Sequence, residues 1–535
     1  MISAARWSAF LLFFCCAFVA RAMDGAPLER GAAIIDPLAL RELELGEHRT
    51  SAIDHVGFGL RPFAFGMASN NSAPILNDEL FALPSMAPVR KALDAEFQRY
   101  VARHRAALPR ESIGVGTSFD WQLFDRDLLY SSRSRFVLAG IVNRMDRAYV
   151  APETCGEIRL IYRLTQLDAA PVGETQSSPR LPVTLNVVLR ARGAGASLPG
   201  RKPVTCKDIA QRWLATADWP ETGVELATRL MSPGGPLEHI EPVDVERIET
   251  NLQIAHAPKS AVRDFRTDYL MKVFDYNSQS KAFEEAPLEN QIDRDRILSD
   301  DRLKADFKAW MLDTNNFASL DLGIILIPER FLAKGAITPT PSGFAPSDLQ
   351  PAFGLVAGED GTKDGTKDAL FSESDVVAAL KGRGSALRNI KSVAGFERRL
   401  NDMTCSGCHQ TRGIGGFHFP GVDWMAAKPS NVTVVPASPH FFGDQVRRRD
   451  ILTAFAGDAP SDFSRGFSSR PQIRGGDTEL AGTEYQDGWG AHCYVQHDKT
   501  SENDKSFQGW TCAEGLTCQA ISPATRMGMC FVKTR

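Results

Sequence analysis

The chain has 535 residues, of which 43% are hydrophobic and 24% are charged, and this length favours two or three domains over a single compact core. Its 61 basic and 65 acidic residues give a formal net charge of -4. No strong positive field therefore attracts nucleic acid or anionic lipid, and we expect no nucleic-acid partner.

The N-terminus predicts a signal peptide over residues 1–22. Arg6 precedes an apolar run of 14 residues that ends at Ala20, and residues 20–22 read Ala-Arg-Ala, the small-x-small pattern that signal peptidase cuts. A permanent membrane anchor is the weaker alternative, because about 20 apolar residues are needed to span a bilayer. We therefore expect a periplasmic or secreted protein with no transmembrane segment after the signal is removed.

Residues 23–390 predict an α+β domain of unknown role. Val89, Leu93, Phe97 and Val101 are spaced by four and predict an amphipathic helix. Later runs that alternate or are rich in β-branched residues predict strands. These runs are residues 134–144, 156–164, 182–191, 247–257 and 268–276, with a helix predicted over 206–217. Their spacing favours a mostly antiparallel sheet with flanking helices.

The chain then turns helical over residues 296–312 and crosses a low-complexity loop, "GEDGTKDGTKDA". The alternating carboxylates of this loop lack the ligand spacing of an EF-hand, so the loop predicts a solvated connection rather than a calcium site. Helices are predicted next over residues 374–390 and 395–404. The second of these carries an apolar face that ends at Met403.

Cys405, Cys408 and His409 follow this helix in the pattern CxxCH. Two thiols at i and i+3 on a helical turn can each add to one vinyl group of a haem, and the next imidazole can bind the iron as an axial ligand. The motif resembles that of a c-type cytochrome. The resemblance implies a helical cytochrome c-like haem domain over residues 391–475, with one covalent haem c on Cys405 and Cys408 and with His409 as the proximal iron ligand. The predicted export agrees with it, since such haem is attached after export.

Three other interpretations of the motif stay open. A zinc site needs two more ligands, of which His418 supplies one, and the chain has no second CxxC. A thioredoxin-like redox pair normally follows a strand, whereas a helix is predicted before Cys405. A structural disulfide between Cys405 and Cys408 is the third interpretation.

The sixth iron ligand separates electron transfer from chemistry at an open iron position. Met425, His440 and His418 are the candidates that follow the motif, and an ordinary packing or surface role is the alternative for each. His239 and His256 are candidates from the upstream domain.

Three arginines near the motif, Arg398, Arg399 and Arg412, are candidate partners of haem propionates. A guanidinium suits this role because it donates two hydrogen bonds to a carboxylate. Solvated charges on a helix or loop are the alternative, and the sequence does not choose between the two roles.

Export also predicts that the remaining cysteines are paired. Cys155 and Cys206 are a candidate disulfide across the sheet region, with free buried thiols as the alternative. Residues 485–535 predict a small disulfide-rich module, because so short a polar segment cannot bury a self-sufficient core. Its cysteines are Cys493, Cys512, Cys518 and Cys530, and three connectivities are possible.

Three functions follow from these patterns. The first is an exported electron-transfer protein that exchanges electrons with a redox partner protein through a six-coordinate haem. The second is a haem peroxidase or oxidase with an open iron position, which the size of the chain favours. The third is an exported binding protein without haem.

Overall fold

The fold is given by a computed structural model, and the residues that it describes lie between positions 31 and 532. The predicted signal peptide, residues 1–22, lies outside them. The described residues are 31–45, 57–65, 74–107, 111–113, 126–167, 180–192, 204–258, 266–339, 356–357, 369–383, 386–405, 445–466, 492–494, 516–520 and 527–532.

A nine-stranded antiparallel sheet forms the centre of the protein. Its strands are β1 (Ala33–Ile34), β2 (Glu111–Ile113), β3 (Ser134–Arg144), β4 (Glu157–Gln166), β5 (Arg180–Arg190), β6 (Val245–Pro258), β7 (Arg266–Asn277), β8 (Ala282–Ala286) and β9 (Ala336–Pro339). They are ordered β1-β3-β4-β5-β6-β7-β8, with β2 beside β6 and β9 beside β7. All the strand runs predicted from the sequence lie in this sheet, which confirms the predicted α+β domain with an antiparallel sheet.

Helices flank the sheet and continue after it. Those of the described chain are α1 (Pro37–Leu45), α2 (Leu60–Phe65), α3 (Asn77–Leu80), α4 (Ala87–Ala107), α5 (Cys206–Ala215), α6 (Gly223–Met231), α7 (Arg294–Leu298), α8 (Asp301–Met311), α9 (Thr314–Leu322), α10 (Glu373–Lys381), α11 (Val393–Met403) and α12 (Gln445–Ala456). The helix predicted over residues 374–390 ends earlier, at Lys381, where Gly382 follows. Glycine is a poor helix former, so it favours this end.

One face of the sheet is apolar and forms the first hydrophobic cluster. Ile158, Leu160 and Tyr162 alternate along β4 and are fully buried in it, because successive side chains of a strand point to opposite faces. Helices α1, α4, α5 and α6 cover this face through apolar residues of their own. Burying a side chain of this size contributes about 1.5–3 kcal/mol.

The opposite face of the sheet is polar and is also buried. Arg159 lies opposite Val188 of β5, and Val188 lies opposite Arg247 of β6. Glu249 follows two residues later on β6 and is 4% exposed, as is Arg159. A buried charge is costly unless it is paired, so this face requires an internal network of ion pairs.

A second hydrophobic cluster lies C-terminal to the sheet. It joins residues of α8 to α11, and the stacked rings of Phe317 and Phe396 are part of it, with centroids 5.4 Å apart. The cluster therefore contains residues on both sides of position 390. The predicted domain limits, 23–390 and 391–475, stay a prediction.

Helix α12 and the residues after it connect the two clusters. Leu452 of α12 is buried in the first cluster, and the Lys207 ammonium pairs with Asp458 at 2.6 Å. The backbone N–H of Arg465 donates to Leu322 O at the end of α9, at 2.8 Å. Residues 445–466 thus contact both parts of the described chain.

The cysteines outside the motif have different outcomes. Cys155 and Cys206 form the predicted disulfide, with Cα atoms 5.2 Å apart. Near the C-terminus, β12 (His492–Tyr494), β13 (Leu516–Ala520) and β14 (Met527–Val532) form a three-stranded antiparallel sheet. Its disulfides stay a prediction.

Away from these sheets, β10 (Val356–Ala357) pairs with β11 (Phe371–Ser372). None of the described helices has the length and hydropathy to cross a membrane.

Candidate functional site

Helix α11 places the first cysteine of the CxxCH motif. The helix begins after Ser392, whose side chain accepts a hydrogen bond from Gly395 N at 2.9 Å, a capping contact that stabilises the start of a helix. Phe396 and Leu400 anchor it in the second cluster. Cys405 therefore follows a firmly packed helix, as the sequence predicted.

The Cys405 side chain lies over the polar face of the sheet. It packs against a small apolar cluster that includes Met271, Val273 and Leu288, and its thiol donates to Glu289 O with an S···O distance of 3.8 Å. It also lines a cavity of about 290 Å³. The first residue of the motif is thus at a cavity between the sheet and α11.

The cavity has charged and apolar walls. Arg147, Arg159, Arg247 and Arg465 contribute guanidinium groups. The apolar wall includes Val150, Leu326, Ile327, Leu332 and Met403, and carboxylates come from Glu246, Glu249, Asp275, Glu289 and Glu329. The cavity is thus amphipathic, and its five carboxylates outnumber its four arginines.

Glu157 is the centre of the ion-pair network beneath the cavity. Its carboxylate accepts from Arg147 Nε at 3.0 Å, from Arg159 Nη2 at 2.9 Å and from Arg247 Nη2 at 2.8 Å. Arg159 and Arg247 also donate to Glu249 at 3.2 and 3.1 Å. The three arginines are therefore held in fixed positions by carboxylates, which is how buried charges persist in proteins.

Asp146 is the centre of a second group of arginines. It accepts from Arg144 Nε at 2.8 Å, and Arg447 and Arg465 each donate to its Oδ2 at 2.8 Å. Asp146 is 2% exposed. This carboxylate joins the turn after β3 to residues 445–466.

The arginines keep both central carboxylates ionised. Burial alone would raise the pKa of Glu157, but the positive charges of Arg147, Arg247 and Arg159 outweigh burial and hold this pKa well below its usual value. The pKa of Asp146 is likewise well below its usual value, because nearby arginines outweigh burial. The network is therefore fully charged at neutral pH.

The Cys405 thiol has the opposite character. Burial, followed by the negative charges of Glu249 and Glu289, raises its pKa to about 12. The thiol is therefore protonated at neutral pH. Such a thiol is a weak nucleophile and a poor metal ligand, since both roles require the thiolate.

At the edge of the cavity, Asp275 is exposed. Its carboxyl group is nevertheless partly desolvated. This desolvation, together with the nearby carboxylates of Glu246 and Glu329, raises the pKa of Asp275 despite the opposing charge of Arg247. In the cavity itself, burial raises the pKa of Tyr149, so its phenol stays neutral and can donate a hydrogen bond.

Most of the site residues predicted from the sequence lie outside the described residues. These are Cys408, His409, His418, Met425 and His440, together with Arg412 and the side chains of Arg398 and His256. His239 is described and is not among the described residues that line the cavity.

Arg399 is described, and its contacts differ from the propionate role considered for it. It is fully buried, and its Nη2 donates to Arg465 O at 2.8 Å. Its described contact is thus with the backbone of the segment after α12, and it is not among the cavity-lining residues. The arginines that line the cavity lie far from the motif in sequence.

Sequence reasoning missed these arginines because their strands are remote from the motif. A signal was nevertheless present: Glu157, Arg159 and Arg163 are separated by two and four residues on β4, and Arg247 and Glu249 by two on β6. Spacing by two predicts that the charges of each strand share one face. It does not predict that this face is buried.

Within the described part of the chain, no group of three or more His, Cys, Asp or Glu side chains is arranged to hold a metal ion. Comparison with protein-family models, with curated proteins and with solved structures gave no match. Function must therefore be argued from the motif and the cavity.

Proposed function

We propose that this protein is an exported c-type haem protein whose main function is electron transfer. Cys405 and Cys408 would carry one haem c through thioether bonds, and His409 would be its proximal iron ligand. The bound haem would supply reversible one-electron transfer to a redox partner protein. The sixth ligand would come from Met425, His440 or His418.

The observation that carries the proposal is the place of Cys405. It follows a packed helix and lines a cavity with an apolar wall. A covalently attached haem needs its attachment residue at such a position, where the macrocycle meets apolar side chains and the thioether anchor is held by a rigid element. The cavity volume of about 290 Å³ is at the lower end of the range for cofactor sites. The described cavity would therefore hold only a portion of the haem.

Two of the cavity arginines are the candidates to bind the carboxylates of a haem. Arg147 and Arg465 line the cavity and are fixed by ion pairs to Glu289 and Asp146. A guanidinium that is already oriented by one carboxylate loses little conformational entropy on binding a second one. The role that the sequence suggested for arginines near the motif is therefore proposed for these two residues.

The protonation state of Cys405 disfavours the thioredoxin-like interpretation of the motif. Such a pair needs a thiolate of low pKa, whereas burial raises the pKa of the Cys405 thiol to about 12. A thioether and a structural disulfide carry no ionisable proton, so a buried sulfur suits both of them.

The visible spectrum tests this proposal. Protein produced together with haem-maturation machinery should show the absorption bands of haem c, and they should persist after denaturation and solvent extraction. The double variant Cys405→Ser, Cys408→Ser should lose them. The matched control is Cys155→Ser, Cys206→Ser, which removes the disulfide of the sheet region and should keep them. A wild-type protein without these bands would refute the proposal and leave an exported binding protein without haem.

A haem peroxidase or oxidase is the second candidate, and Tyr149 in the cavity wall favours it. Its neutral hydroxyl would donate a hydrogen bond to a small substrate at an open iron position. Cyanide or carbon monoxide would then bind readily and shift the spectrum. A spectrum that neither ligand changes would favour electron transfer through a six-coordinate iron.

A further inference from the structure

Asp146 contacts the described segment 445–466 near both of its ends. Arg447, in the first turn of α12, and Arg465, near the end of the segment, both donate to Asp146 Oδ2 at 2.8 Å. Asp146 itself belongs to the turn after β3 and is held by Arg144 of that strand. One buried carboxylate thus fixes two points that are 18 residues apart in sequence.

Arg465 carries this connection to the cavity and to α11. Its side chain lines the cavity beside Cys405. Its backbone oxygen accepts from Arg399 Nη2 at 2.8 Å, and Arg399 lies on the helix that ends just before Cys405. The contacts run from Asp146 to Arg465 and from Arg465 to α11.

The charges make Asp146 essential to this arrangement. Arg144, Arg447, Arg448 and Arg465 all act on the Asp146 carboxylate. Without its negative charge, these guanidinium groups would repel one another in a buried place, where charges are weakly screened. The segment would then separate from the turn after β3.

We infer that Asp146 is a positioning residue: through Arg447 and Arg465 it holds residues 445–466 against α11 and fixes the Arg465 wall of the cavity beside Cys405. Its effect on a cofactor rests on the proposed function, whereas its hold on the segment does not. Asp146 would touch no ligand itself, since it is not among the described residues that line the cavity.

Amide hydrogen exchange tests the hold on the segment. In Asp146→Asn, exchange of residues 445–466 should rise about 100-fold or more, because the loss of one partner of a buried ion pair strongly favours local opening. Arg447→Gln, which leaves Asp146 paired with Arg144 and Arg465, should give a smaller rise. The control is Asp458→Asn, which removes the exposed pair with Lys207 and should leave exchange unchanged.

A double variant shows whether the two residues act together. In the Asp146→Asn background, Arg447→Gln should not raise exchange further and should partly lower it, because its pair with Asp146 is already lost and one of the repelling guanidinium groups is removed. Equal effects of Arg447→Gln in both backgrounds would overturn the inference. The inference would also be overturned if residues 445–466 exchanged no faster in Asp146→Asn than in the Asp458→Asn control. If Asp146→Asn fails to fold, Arg447→Gln against Asp458→Asn decides the question alone.

The reduction potential separates this inference from the proposed function. A positive charge near a haem favours its reduced form, so Arg465→Gln, which removes the guanidinium that Asp146 holds at the cavity, should lower the potential relative to Asp458→Asn and should also raise exchange. Faster exchange of residues 445–466 with an unchanged potential would support the role of Asp146 in holding this segment. The same result would refute an effect of Asp146 on the cofactor. A protein without haem would refute the proposed function, and the exchange data would still decide the role of Asp146.

Discussion

At the scale of single residues, the buried carboxylates are the costliest feature of this protein. Glu157 is 5% exposed and accepts hydrogen bonds from three arginines. Removing one partner of such a group is expensive because the remaining charges stay buried without compensation. Glu157 and its arginines therefore depend on one another for their contribution to stability.

Glu157→Gln should lower the free energy of unfolding by about 3–5 kcal/mol, because it leaves three buried guanidinium groups without their shared carboxylate. Urea denaturation measures this change. Glu284→Gln, which alters an exposed carboxylate of β8 in the same sheet, is the control and should have little effect. Similar midpoints for the two variants would contradict this account of the network.

The pH dependence of Glu157 follows from its lowered pKa. Its folded-state pKa lies well below 4.5, so its contribution to stability is complete above the unfolded value and is lost as the pH falls through the folded value. In acid, the difference in stability between wild type and Glu157→Gln should therefore shrink. A constant difference down to the acid transition would argue against a charged Glu157.

The Cys405 thiol should react slowly in protein made without haem. Its pKa is raised from 9.0 to about 12, so alkylation of Cys405 near pH 8 should be much slower in the folded than in the denatured protein. Peptide mass spectrometry measures both rates. Because the folded pKa is raised, the stability that this thiol contributes is complete below pH 9 and is lost as the pH rises towards 12. Equal alkylation rates would show that the thiol is not buried.

At the scale of elements, the sequence predicted the strands but not the environment of their charged face. Alternation along β4 is clear, with Ile158 and Leu160 on one face and Glu157 and Arg159 on the other. Such a pattern usually indicates a strand with one face in water. Here the charged face is buried as well, and its cover includes Cys405. Alternation reports which residues share a face, and only long-range contacts decide whether that face meets water.

The start of β4 depends on a glycine. Gly156 has φ +88°, and a Cβ there would lie 2.5 Å from Arg144 O. Gly156→Ala should therefore destabilise the protein by more than the about 1–2 kcal/mol that a positive φ costs an L-residue. Gly234→Ala is the matched control, since Gly234 has φ +85° and no atom within 4 Å of such a Cβ. Thermal unfolding compares the two, and equal shifts would show that the backbone clash is relieved at no cost.

At the scale of the whole molecule, the CxxCH motif was readable and its surroundings were not. The motif and the helix before it were evident from local sequence, and α11 confirms the helix. The cavity combines residues of β4, β6 and the turn after β3 with Leu326, Cys405 and Arg465. No local pattern brings together positions more than 300 residues apart, such as Arg147 and Arg465. The network that orients these arginines is equally non-local.

The central claim is that a haem is covalently bound to Cys405 and Cys408. Intact mass spectrometry of the denatured, solvent-extracted protein tests this claim most directly, after production with haem-maturation machinery. We predict a mass increase of one haem over the mature chain, located on the peptide that contains residues 405–409. A wild-type mass equal to that of the polypeptide alone, with both thiols free to react, would contradict the account.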